Sequence, residues 1–132
     1  IAAACTDLSG SSNWFERGFV TYSNQAKTDL LGVDAQVITR EGAVSEAVAR
    51  AMAAGALARA PVQVAVSVTG VAGPTGGSDA KPVGTVWFGW NVDGQIRTER
   101  QRLNGDRAAV RSATVRHALA RLLVLLREPP PA

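Results

Sequence analysis

Apolar and polar positions alternate along this chain in two distinct periods, and they divide it into short helical and extended segments. Ile1 to Leu8 is Ala-rich and helix-permissive, and Ser9-Gly-Ser-Ser-Asn13 reads as a loop. Trp14 and Phe15 then lead into Phe19-Val-Thr-Tyr22, where the two-residue alternation of a strand appears, with both aromatics expected to anchor its start in the core. Ser23 and Asn24 are turn and cap residues, Gln25 to Leu31 favours helix, and Gly32 stops it. Val33 to Glu41 reads as an irregular connection. Ser45 then caps a helix whose apolar face is built from small residues, Ala47, Val48, Ala51, Met52, Ala54 and Ala58, before Pro61.

The second half is richer in β-branched residues. Val62 to Val68 is almost continuously apolar, the pattern of a central strand buried on both faces. It empties into Thr69-Gly-Val-Ala-Gly-Pro-Thr-Gly-Gly77. Thr85 to Val92 is a further strand, and Asp93-Gly94 predicts a hairpin into Ile96 to Leu103, a charged strand suited to a sheet edge. Asn104 or Asp106 caps a last helix that runs to about Arg127, with Val110, Ala113, Ala118, Leu122, Leu125 and Leu126 on its buried side, and Pro129-Pro-Pro131 closes it. The order of elements predicts an α/β fold with a mixed sheet covered by helices on both faces.

Composition narrows this picture. The 132 residues fit one domain with a sizeable core. The longest apolar run, Leu122 to Leu126, is too short to cross a bilayer, and no basic, apolar leader opens the chain. One Cys and one His argue against a disulfide framework and a structural zinc site, and suit a reducing compartment. A net charge of +3, with acids interspersed among the bases, is a mild asymmetry and argues against a nucleic-acid surface.

The basic residues are more informative than their sum. Twelve are Arg and two are Lys, Lys27 and Lys81. A lysine can give up its proton when desolvated and then act as a base, which arginine cannot. Chance survival of two surface lysines is the plain alternative. Lys27 follows Tyr22, Ser23 and Asn24 at a strand-to-helix junction, where α/β proteins place sites. The Gly-rich loop after Val68 is a second candidate, because backbone N–H groups of Thr69, Gly70, Ala72 and Gly73 can hold an oxyanion or phosphate. It matches neither dinucleotide nor P-loop fingerprint, and glycines also make plain turns. Arg107 stands in the first turn of the last helix, where the dipole disfavours a cation, which suggests an anionic ligand. Ser45 reads as a cap rather than a nucleophile, and His117, at the border of the apolar stripe, as a boundary residue.

Taken together, Gly10-Ser-Ser-Asn-Trp-Phe-Glu-Arg-Gly-Phe-Val-Thr-Tyr-Ser-Asn-Gln-Ala-Lys27, Gly42-Ala-Val-Ser-Glu46, Thr69-Gly-Val-Ala-Gly-Pro74, Lys81-Pro-Val-Gly-Thr-Val-Trp87 and Gly105-Asp-Arg107 carry a resemblance. In this order they resemble the CinA C-terminal domain family over essentially the whole chain. The resemblance implies a three-layer α/β/α sandwich with a mixed, mostly parallel sheet. It implies deamidation of nicotinamide mononucleotide to nicotinate mononucleotide and ammonia, without metal or cofactor, by a Ser/Lys pair. Lys27 corresponds to the family lysine, with Tyr22 and Asn24 as candidates to orient the reacting groups. Thr69, Gly70, Ala72, Gly73 and Arg107 are the substrate-binding candidates. The family serine lies in a Glu-Ser-Cys-Thr-Gly-Gly segment that would end one residue before Ile1, so Ser9, Ser11, Ser12 and Cys5 do not stand in for it. The expectation is a single domain over residues 1–132 that lacks its N-terminal strand and the start of its first helix. A cytoplasmic homodimer acting on a small nucleotide is the implied setting. The competing expectation is a non-catalytic nucleotide-binding or regulatory domain linked to competence or DNA damage; nucleic-acid binding, prompted by the same link, has no supporting motif.

Overall fold

The computed structural model describes residues 1–129. Three strands, β1 (Val64–Gly70), β2 (Thr85–Val92) and β3 (Gln95–Arg102), form one antiparallel sheet in the order β1-β2-β3. Five helices accompany them: α1 (Ala2–Thr6), α2 (Asn24–Leu31), α3 (Ala35–Glu41), α4 (Glu46–Ala58) and α5 (Arg107–Arg127). A single 3-10 turn covers Ser11–Asn13.

Alternation along the strands decides what each face meets. Ser67, Gly89 and Asn91 face α4, whereas Val86, Phe88 and Trp90 face α5. The α5 side is a large-residue core of Val86, Phe88, Trp90, Val110, Ala118 and Leu125, with Phe88 and Trp90 stacked at 5.5 Å between ring centroids. The Trp90 indole N–H finds the Ala118 carbonyl at 2.9 Å, so a fully buried ring carries no orphaned donor.

The α4 side is built differently. Val48, Ala49 and Ala53 have no exposed surface, and the small side chains let the helix backbone approach the sheet. Ser67 Oγ donates to the Ala49 carbonyl at 2.6 Å, and Asn91 Nδ2 donates to the Ala53 carbonyl at 3.3 Å. Behind α4, the helices α2 and α3 close a second cluster of Leu31, Val33, Ile38, Val48 and Met52.

Caps follow the sequence. Ser23, Ser45 and Asp106 each accept a hydrogen bond from a backbone N–H three residues on. Of the two cap candidates for α5, Asp106 serves. The Asp93-Gly94 hairpin sets the β2–β3 register, with Trp87 opposite Arg100. The α5 helix ends at Arg127 with Glu128 beyond it, and Pro130 and Pro131 lie outside the described residues.

Five expectations need correction. The sheet is antiparallel, not mixed and mostly parallel: β1 reaches β2 through a loop with no crossover helix, so the chain reverses direction. Phe19–Tyr22 is extended but not a strand, because it has no ladder partner among the described residues. Its alternation survives only as burial: Phe19 packs on the α2–α3–α4 cluster, while Val20 and Tyr22 stand 86% and 83% exposed. The strand in the middle of the sheet is β2, and β1, expected to be central, lies at an edge with its Val64 to Val66 stretch half-buried. Val33–Glu41 is not irregular, since Asp34 accepts from Gln36 N at 2.8 Å and opens α3. Trp14, expected in the core, is 58% exposed and meets only the edge of Phe15 at 6.4 Å among aromatic partners.

Candidate active site

Lys27 is the one buried ammonium among the described residues, 5% exposed at the first turns of α2. Its burial follows from helix geometry. Leu31, four residues on, lies on the same face and inserts into the α3–α4 cluster, so the lysine stem is carried inward with it. Nζ reaches the Tyr22 backbone carbonyl at 3.4 Å, across the bend that starts the helix. Burial in this position pushes the Lys27 pKa below the ordinary lysine value. A buried amine with one long hydrogen bond to a neutral acceptor has little to hold its proton, which is the state a general base needs.

Tyr22 contributes to this arrangement through its carbonyl; its phenol ring points to solvent and is not packed. Asn24 is exposed and is the first residue of α2, the cap itself being Ser23.

The loop from Val71 to Gly84 is closed at its base. Val71 N–H donates to the Thr85 carbonyl at 2.9 Å, and Gly84 N–H donates to the Val71 carbonyl at 2.7 Å. The Val71 N–H is therefore committed to the fold and is not free for an oxyanion. Thr69 is buried on the α4 side, where Oγ1 donates to the Ala43 carbonyl at 2.9 Å. Gly70 ends β1, while Ala72 and Gly73 stand where the loop leaves it. Arg107 donates through Nη1 to the Gly73 carbonyl at 3.0 Å. The guanidinium that the sequence suggested for an anion thus also ties the loop to α5. Its remaining donors border a cleft of about 490 Å³ lined by Ala72, Pro74, Val83, Gly105 and Asp106. No side-chain hydrogen bond among the described residues joins this loop directly to Lys27; the two halves of the candidate site are linked through the helices α3 and α4 and their connection.

A second cavity, about 550 Å³, was not anticipated from the sequence. Ser45, Arg50, Lys81, Thr85, Trp87 and Arg100 are among its walls. The hairpin register places Trp87 beside Arg100, a pairing that counting outward from Asp93-Gly94 would have given.

Away from both clefts, Glu99 on β3 gathers His117 and Arg121 from α5. His117 Nε2 lies 2.7 Å from Glu99 Oε1, Arg121 Nε lies 3.9 Å from Oε2, and Gln101 donates to the same carboxylate. The imidazole also rests edge-on against Phe88 at 4.7 Å. This is the boundary role expected of His117, with a defined partner. Burial alone would raise the Glu99 pKa. The hydrogen bonds from Gln101 and His117, with the charges of His117 and Arg121, outweigh it and hold the carboxyl below its usual value of 4.5. A carboxylate with a depressed folded pKa stabilises the fold above its unfolded pKa, and that contribution is lost as pH falls through the folded value. Glu99→Gln should therefore lower the unfolding free energy measured by urea titration at pH 7, by no more than about 1 kcal/mol for a cluster still partly open to solvent. At pH 3 the gap to wild type should shrink. A gap that stayed constant between the two pH values would contradict this assignment.

Among the described residues no helix is long and apolar enough to cross a membrane, and no cluster of His, Cys, Asp and Glu could hold a metal.

The model of the CinA C-terminal domain matches residues 1–126. The nicotinamide-nucleotide amidohydrolase PncC of Enterobacter agglomerans is 59% identical over 112 residues, 84% of this chain and 68% of that protein. The protein of the same name from Escherichia coli strain K12 is 51% identical over 123 residues, covering 92% of this chain and 74% of its own length. Among solved structures, that of the competence/damage inducible protein CihA from Agrobacterium tumefaciens superposes with a TM-score of 0.93 at 46% identity, covering 96% of this chain and 78% of that one. Matched over nearly all its length by family model, sequence and fold, the chain belongs to the CinA C-terminal domain family.

Proposed function

We infer that this chain is an amidohydrolase that removes the carboxamide nitrogen of nicotinamide mononucleotide as ammonia and leaves nicotinate mononucleotide. The observation that carries this reading is the likeness, over most of both chains, to relatives named nicotinamide-nucleotide amidohydrolase. Buried Lys27, whose pKa burial lowers, is the base such a reaction calls for.

In this reading neutral Lys27 takes the proton from a serine hydroxyl as the oxygen attacks the carboxamide carbon. The resulting ammonium returns that proton to the amide nitrogen, which leaves as ammonia. Water then attacks the acyl-serine ester as Lys27 accepts its proton, the ammonium hands that proton to the departing serine oxygen, and nicotinate mononucleotide leaves with serine and neutral Lys27 restored. The serine is the one the resemblance puts upstream of Ile1. The open edge of β1 offers room for such a segment to pair with the sheet. N–H groups of Gly70, Ala72 and Gly73 are the candidate donors to the oxyanion, and the free side of Arg107 is the candidate for the substrate phosphate. Tyr22 acts through the carbonyl that orients the lysine, and exposed Asn24 beside it is the candidate to orient the leaving amide. A homodimer, with no metal or organic cofactor, belongs to the same reading, and sedimentation velocity tests the dimer.

The direct test supplies nicotinamide mononucleotide to the protein with its upstream segment and follows ammonia and nicotinate mononucleotide together. Equimolar release supports the reading. Nucleotide binding by calorimetry with no ammonia released would instead favour a regulatory domain.

A further inference from the structure

Lys81, the other lysine, has no part in the chemistry above, yet it is held with care. The turn Ser78–Lys81 closes on itself: Ser78 N–H donates to the Lys81 carbonyl at 3.0 Å, and Lys81 N–H donates to Ser78 Oγ at 3.1 Å. From this turn the Lys81 side chain crosses to the end of α3, where Nζ donates to the Glu41 carbonyl at 2.6 Å. That carbonyl belongs to the last turn of a helix, where unpaired oxygens attract a cation. Gly42 makes the approach possible. A Cβ at this position would lie 2.6 Å from Nζ, and the residue's φ of +82° independently favours glycine.

We propose that Lys81 is a positioning residue for the deamidation: its ammonium, seated over Gly42 on the Glu41 carbonyl, fixes the Gly-rich loop relative to the helices that carry Lys27. The loop hangs from its closed base and is held from both sides. Arg107 grips the Gly73 carbonyl from the α5 side, and Lys81 grips α3 on the α4 side. α3 in turn shares the Leu31, Val33, Ile38 cluster with α2, and Leu31 lies one turn from Lys27. The Lys81 contact is thus a polar tie from the loop itself to α3, beside the Thr69–Ala43 hydrogen bond at the end of β1.

This proposal rests on the amidohydrolase reading, and its test separates the two. Full-length wild type, Lys81→Met, Lys81→Arg and Lys27→Ala are assayed for nicotinate mononucleotide formation, and amide hydrogen exchange is followed at residues 70–78. Lys81→Met is expected to lower kcat about 10- to 100-fold with a smaller change in KM, because the displaced donors act on the transition state. Exchange at residues 70–78 should quicken while β2 and α5 stay protected. Lys81→Arg, which keeps the charge, should recover part of kcat. Unchanged kcat and unchanged loop exchange in Lys81→Met, with Lys27→Ala inactive, would overturn the positioning role and leave the reaction standing. Exchange that quickened throughout the molecule would overturn it too, in favour of a general structural role. Turnover by Lys27→Ala equal to wild type would overturn the catalytic reading and this one with it.

Discussion

Lys27→Met should abolish turnover and make the protein harder to melt. The two effects share one cause. Lys27 is 5% exposed, and its pKa is lowered because burial penalises the ammonium. At neutral pH the fold therefore carries a desolvation cost that the unfolded chain does not. The linkage sign agrees. Between the folded pKa and the unfolded value of 10.5 the unfolded state binds more protons, so stability rises with pH across that interval. Methionine keeps the stem, fills the same space and removes the cost. Its single lost hydrogen bond is long, 3.4 Å to the Tyr22 carbonyl. We expect the melting temperature to rise by about 3 °C or more, as a gain near 1 kcal/mol would give in a domain of this size. Ammonia release should fall by about 10²- to 10⁴-fold, the range for losing a positioned base. Wild-type kcat/KM should climb with pH to a plateau as the amine deprotonates, and that limb should vanish in the variant. Calorimetric scans at pH 7 and initial rates from pH 6 to 10 test both parts. A variant that melts lower and keeps its rate would show Lys27 to be an ordinary structural lysine.

The second large effect runs against helix propensity. Gly55 lies inside α4, where alanine would ordinarily help by about 1 kcal/mol. Here the C-terminal end of α2 crosses so closely that a Cβ on Gly55 would collide with the Leu31 carbonyl oxygen and carbon. Both colliding groups are backbone and cannot turn aside by changing rotamer. Gly55→Ala should therefore destabilise by about 2–4 kcal/mol net, at or above the usual range for overpacking, and lower the melting temperature by about 6 °C or more. The displacement would pass directly to α2, so turnover should fall with stability. A variant that melts above wild type would mean that α2 and α4 are less closely packed than described.

Much of the fold is legible where the signal is local. Ser23, Ser45 and Asp106 announce their helices because a cap needs only its own next three residues. Asp93-Gly94 gives the β2–β3 register for the same reason. What was misread depends on partners far away in sequence. Phe19–Tyr22 has the alternation of a strand, but a strand exists only when a neighbour supplies its ladder. Val62–Val68 has the composition of a central strand, and composition does not say which edge is occupied. The helix α3 escaped because Val37 and Ile38 alone give too little periodicity over seven residues, although Asp34 was there to mark its start. In the candidate site, the burial of Lys27 follows from its spacing to Leu31. The Arg107–Gly73 contact spans 34 residues and the Lys81–Glu41 contact 40, and neither has any local trace.

The alanine-rich face of α4 has a consequence for how firmly the helix is placed. Ala49 and Ala53 lie one turn apart, with Ala56 near the next turn, so shifting the helix by one turn, about 5.4 Å, sets small residue against small residue. Such a slide would cost little in buried apolar area, and packing alone leaves it nearly degenerate. The donors of Ser67 and Asn91 remove that freedom, since each meets a particular carbonyl of the helix, at Ala49 and Ala53. Sliding α4 would strand both in a buried setting at once. The helix is held in axial register by polar contacts, much as a key is held by its notches, while the apolar surface supplies adhesion that is indifferent to position.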